Sequence, residues 1–158
     1  MWVLDLFMGL QYLSVPVFLA WKFTLTTFLV WVGCFLFGYR VTYAQLWKWV
    51  MFSEIIFLIP EVLKIVWFKV FSTDPSFQDY NAFYPISLMG FFDHETLNSK
   101  FHYPLKALNL FEICYWYILA VGIFLLSNKD FKRSLIIVLS TYVPLFLIWL
   151  LFFIGVYK

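Results

Sequence analysis

The chain has 158 residues, of which 64% are hydrophobic and 13% charged, against roughly half and a quarter in soluble domains. That balance excludes an ordinary soluble globule and predicts a single integral-membrane domain over residues 1–158, with the lipid bilayer as its first partner. A net charge of +2 offers phosphates no basic face, so nucleic acid is excluded as a partner.

The opening stretch MWVLDLFMGLQYLS lacks the basic region and small-residue cleavage site of a secretory signal, and is expected to stay on the mature chain. Its dozen or so apolar residues would make roughly 18 Å of helix, short of a hydrocarbon core of about 30 Å. It reads as a short interfacial or re-entrant helix. Ser14 and Pro16 then suit a helix start, and the apolar run reaches Phe37 before Gly38 supplies a stop. The first span is placed at 15–37. Thr42 and Gln45 have capping-box spacing at the head of a second span at 47–71, in which Pro60 predicts a kink. Residues 72–103 form a loop, a third span runs from Pro104 over 104–126, and a fourth, with Pro144 inside, covers 131–156. The fold class is therefore all-α: a polytopic membrane bundle of four transmembrane helices plus the short N-terminal helix.

Orientation follows from basic residues in the short connections. Arg40 and Lys48 flank the first turn, and Lys129, Lys132 and Arg133 the last, so both turns are expected in the cytoplasm. The 72–103 loop, with Asp74, Asp79, Asp93 and Glu95 against Lys100, then lies outside together with both termini. A bacterial inner membrane is the expected location.

The second span, FSEIIFLIPEVLKIVWFKVF, is apolar enough for lipid yet carries Glu54, Glu61, Lys64 and Lys69. Lys64 follows Glu61 by three residues and can pair with it. Counted from the outer helix ends, Lys64 lies about 10 Å in from Phe71, Glu112 about 10 Å from Leu105 and Lys22 about 10 Å from Val15. An unpaired ion at such depth costs at least ~2.5–3.5 kcal/mol. Lys22, Glu61, Lys64 and Glu112, whose charges sum to zero, are therefore the candidate intramembrane polar network. Lys48 and Lys69 can reach the interfaces. Glu54 has no evident role.

Other chemistry is thin. Asp93, His94, Glu95 and His102 match no strong zinc spacing. No Ser or Cys stands in a nucleophile motif, and six glycines form no phosphate loop. Cys34 and Cys114 sit in apolar runs and read as packing residues. Trp47, Trp49 and Trp67 read as interface anchors and packing residues. No metal, cofactor or catalytic residue is expected.

After a first span, FGYRVTYAQLWKWVMFSEIIFLIP supplies a basic turn and second span, YPISLMGFF an external segment, and NLFEICYWYILAVGIFLLSNKDFKRSLIIVLSTYVPLFLIWLL the closing pair. In this order of features the chain resembles the Yip family of membrane proteins, with Asn109, Phe111, Trp116 and Gly122 at matching positions. The resemblance implies a helical bundle linked, in eukaryotes, to Rab-type GTPases and vesicle traffic. This chain departs in lacking a cytosolic N-terminal domain and one leading span, so a bacterial-type member is implied instead. The function expected is a non-enzymatic accessory or scaffold subunit acting through lipids, a membrane-protein partner or a homo-oligomer. The alternative is a small transporter or channel subunit that uses Lys22, Glu61, Lys64 and Glu112.

Overall fold

The first helix runs through the point where Ser14 and Pro16 invite a break. In the computed structural model, which describes residues 2–71, 86–92 and 97–156, α1 is continuous over Trp2–Leu36 with Pro16 inside it. A proline forfeits one helical hydrogen bond. Ending the helix in an apolar surrounding would expose several more backbone groups. The expected separate N-terminal helix is thus replaced by one long α1, of which Tyr12–Leu36 is long and apolar enough to cross a membrane.

The α1 stop is built from its own carbonyls. Gly38 takes φ +70°, Tyr39 N–H donates to Cys34 O at 2.8 Å and Gly38 N–H to Phe35 O at 3.0 Å, the paired bonds of a Schellman ending. Thr42 then caps α2, Tyr43–Ser53, in extended geometry. Its hydroxyl donates to the Gln45 side chain at 2.5 Å instead of accepting from a backbone amide.

The expected second span is divided. After α2 comes a 3-10 turn over Glu54–Phe57, then α3 over Leu58–Phe71. Pro60 explains the division: it has no N–H for the Ile56 carbonyl, and its ring crowds that carbonyl, so the preceding turn tightens. At 11 and 14 residues the halves are roughly 17 and 21 Å long, each too short to cross alone.

The third expected helix is also cut. α4 covers His102–Ala107, the chain extends at Leu108 and Asn109, and α5 runs over Leu110–Ser127. The break is stapled by a short antiparallel pairing: Leu88 N–H donates to Leu108 O at 3.0 Å and Leu110 N–H to Ile86 O at 3.1 Å. Asn109 closes it, accepting from Glu112 N–H at 2.9 Å and donating to Lys106 O at 2.9 Å. α6 spans Phe131–Val156 with Pro144 inside. Among the described residues, then, three helices are long and apolar enough to cross a membrane, α5 and α6 being the other two. Most of the 72–103 loop, including Asp74, Asp79, Asp93, His94 and Glu95, lies outside the described residues.

α1, α2, α5 and α6 pack in a ring, each touching two neighbours. Val30, Cys34, Leu46, Val50, Leu119, Ala120, Ile123, Ile137 and Val138 fill the centre. The two short turns meet at one end: Lys129 Nζ donates to Gly38 O at 2.8 Å and stands 4.8 Å over the Tyr39 ring. The buried Thr27 and Ser53 hydroxyls are satisfied within their own helices, by Phe23 O at 2.7 Å and Trp49 O at 2.8 Å.

Two glycines set the helix spacing. A Cβ on Gly33 would sit 2.6 Å from the Thr141 methyl, and one on Gly122 would overlap the Trp49 indole. Trp49 lies flat in that space and donates to Ile118 O at 2.9 Å, a packing role rather than an interfacial one. Gly155 meets nothing. Gly122→Val is therefore expected to cost about 1–3 kcal/mol through overpacking and the displaced indole, while Gly155→Ala stays near wild type. Thermal unfolding of both variants in detergent compares them; equal stabilities would refute the close approach.

Candidate functional site

Depth in this bundle is fixed by the short turns. Counted from Leu36, Tyr43 and Ser127, Lys22, Glu54 and Glu112 lie roughly 21, 17 and 22 Å along their helices. The three residues meet. Lys22 Nζ donates to Glu54 Oε2 at 2.7 Å and stands 4.8 Å from the centre of the Phe57 ring. Glu54 comes to this position because the 3-10 turn begins on it. Its side chain is 11% exposed and that of Lys22 is 37%.

Glu112 sits on the first turn of α5, where helix N-termini favour a carboxylate. Buried there, its Oε1 accepts from Trp116 Nε1 at 2.9 Å and from the Tyr142 hydroxyl of α6 at 3.0 Å. Lys22 and Glu54 both act on it electrostatically. Tyr115 lies between the two halves, with its ring 5.1 Å from that of Phe57 and 5.6 Å from that of Tyr142. Its hydroxyl stands against the Glu54 carboxylate, the acceptor to which it can donate. The cluster thus joins α1, the 3-10 turn, α5 and α6, and contains two carboxylates for one ammonium.

The four residues of the predicted network divide. Lys22 and Glu112 belong to this cluster. Glu61 does not: it is exposed on α3. Lys64 is buried near Lys106 of α4, whose ammonium is pushed below the usual lysine range, first by burial and then by the like charge of Lys64. Counting from the outer ends placed Lys64 level with Lys22. The helix carrying Lys64 is interrupted, and from the α1–α2 turn Lys64 is about 31 Å along, well past Lys22. The same count brings in Glu54. Tyr115 and Tyr142, which sequence reasoning missed, follow Glu112 by three on α5 and face it from α6.

Four residues singled out by the family resemblance have definite places: Asn109 caps α5, Phe111 is buried, Trp116 donates to Glu112 and Gly122 receives Trp49. His102 Nε2 lies 3.1 Å from Leu97 O, and no metal-binding group of His, Cys, Asp and Glu occurs among the described residues. Cys34 and Cys114 are free thiols. No family model matches the chain, and no curated protein or solved structure matches it either.

The Lys22–Glu54 pair predicts strong coupling. Lys22→Met alone leaves an enclosed carboxylate without its cation and should cost about 3–5 kcal/mol. Adding Glu54→Leu should restore much of that loss. Unfolding of the two single variants and the double variant in one membrane mimetic measures the coupling; additive losses would show that the pair contributes none.

Proposed function

We propose that the chain is a non-enzymatic accessory subunit of a membrane-protein complex, docking through α3. The observation that carries this reading is Glu61. It is exposed on a helix face whose neighbours Leu58, Val62 and Ile65 are 61%, 56% and 55% exposed. A carboxylate turned to hydrocarbon is costly, so a residue of this kind marks a partner or a pathway. The partner expected is a transmembrane helix of another protein with a Lys or Arg at that depth. A second copy fits poorly: a two-fold axis along the membrane normal would set Glu61 against Glu61. The nearest exposed cation on the same face, Lys69, lies about 12 Å further along.

In this reading α2, the 3-10 turn and α3 cross together as one broken span. The bundle then has four crossings, with the continuous α1 supplying the first. The turns bearing Arg40 and Lys129 face the cytoplasm of a bacterial cell, and both termini lie outside. A Yip-like accessory role is one form such a subunit could take. The buried cluster of Lys22, Glu54 and Glu112 favours a second reading, as an ion-handling subunit of a transporter or channel.

Photo-crosslinkers at Val62 and Ile65 should each give one discrete heterologous adduct in native membranes, lost on Glu61→Lys. A crosslinker at exposed Tyr117 should not. Persistence of the adducts in Glu61→Lys, or adducts consisting only of chain dimers, would refute the reading. Topology is tested separately in a background lacking Cys34 and Cys114: Ser76→Cys should be labelled from outside the cell and Asn128→Cys from inside. The reverse pattern would overturn the orientation.

A further inference from the structure

A groove of about 440 Å³ lies at the break between α4 and α5, walled by Ile86, Leu88, Phe91, Leu110 and Ile113. Those five side chains are exposed, so in a bilayer the groove opens to lipid. Its floor is polar. Ser87, Asn109 and Glu112 line it and all three are buried, Glu112 being 6% exposed. A largely apolar pocket of this size, with a few polar groups converging in it, is the usual form of a small-ligand site. The wall is also strained. Ile86 takes φ +57°, a left-handed conformation that a β-branched residue rarely adopts, and the bond from Leu110 N–H to its carbonyl holds it there. Strain of this kind collects at ligand clamps.

We propose that this groove holds one lipid with a primary ammonium head group, of the phosphatidylethanolamine kind, its ammonium on Glu112 and an acyl chain along Ile86, Phe91 and Ile113. Glu112 Oε1 takes both bonds that the carboxyl accepts among the described residues, from Trp116 and Tyr142, which leaves Oε2 for the groove. No Lys, Arg or His among the described residues lines the groove, so an anionic head has no counter-charge there, whereas an ammonium has one. The pair does not depend on whether Glu112 holds a proton when the groove is empty: an ammonium beside a carboxyl favours the ionised form, and a proton held beforehand leaves to water. A primary ammonium carries three donors. A choline head carries the same charge and no N–H, so it cannot make the bond. The space also selects against a partner helix, since a single turn, about 5.4 Å high and 10–12 Å across, would fill it. The groove is open, and the phosphate stays at its mouth. The site uses no residue of α3 and stands independently of the docking proposed there.

A ligand that binds only the folded chain raises its stability saturably with concentration. The test titrates the full chain in dodecylmaltoside micelles with phosphatidylethanolamine, phosphatidylcholine and phosphatidylglycerol of identical acyl chains. Melting temperature is followed, and native mass spectrometry counts the lipids retained. Phosphatidylethanolamine should give one retained lipid and a saturable rise, half-complete at a concentration roughly tenfold below that for phosphatidylcholine. Glu112→Gln, which can still accept from Trp116 and Tyr142, should bring the ethanolamine lipid to the choline level. Gly90 supplies a second variant, because it lines the groove and a Cβ added there meets nothing. Gly90→Trp should fill the space and raise the half-saturating concentration at least roughly tenfold, and where Glu112→Gln does not fold, Gly90→Trp decides. Equal affinity for the ethanolamine and choline lipids overturns the proposal, as does tighter binding of phosphatidylglycerol or an ethanolamine preference that either folded variant keeps.

Discussion

The contact between Lys22 and Glu54 settles how the two halves of the second helical stretch meet the bundle. It ties the middle of α1 to the first residue of the 3-10 turn, at the point where Pro60 has already weakened the helical ladder. Without a charge to meet at that depth, a turn of tightened helix in an apolar setting would be only a defect. With it, the defect delivers a carboxylate to the core. Glu112 then follows on α5, its oxygen shared between Trp116 and Tyr142, so that α6 enters the same network. One ion pair and one carboxylate that accepts two hydrogen bonds therefore bring α1, the 3-10 turn, α5 and α6 together at one depth.

Local chemistry was readable where a residue acts on its own backbone. Gly38 stops α1 because a positive φ suits glycine, Thr42 starts α2 with an extended backbone, and Pro60 disturbs the turn before it. Each effect spans four or five residues and needs no knowledge of the rest of the fold. The break at Leu108 and Asn109 is different. It depends on a pairing with Ile86 and Leu88, some twenty residues distant, and a helical pattern through Pro104 gives no sign of it. Pro16 errs in the other direction: its local preference for a helix start yields to the demand of an apolar environment that the backbone stay bonded.

The site was half legible for a related reason. Lys22 and Glu112 stand out as charges within apolar runs, and nothing further is needed to suspect them. Their partners depend on register. Depth measured from helix ends that the structure moves or interrupts brought Glu61 and Lys64 forward. Depth measured from the two tight turns, where neighbouring helices must be level, selects Glu54. The tyrosines were concealed by composition, because in a chain with 25% aromatic residues a single ring carries little information until its hydroxyl is seen beside a carboxylate.

The meeting of the two short turns, where Lys129 reaches the carbonyl of Gly38, has a mechanical consequence. It clasps the α1–α2 pair to the α5–α6 pair at one end of the bundle. At the opposite end Tyr103 of α4 meets Trp149 and Phe153 of α6, so the ring of helices is tied at both ends. Among the described residues α3 packs chiefly on the 3-10 turn before it, and that turn, held by the Lys22–Glu54 contact, acts as its hinge: a small rotation there becomes a larger displacement at the far end of α3.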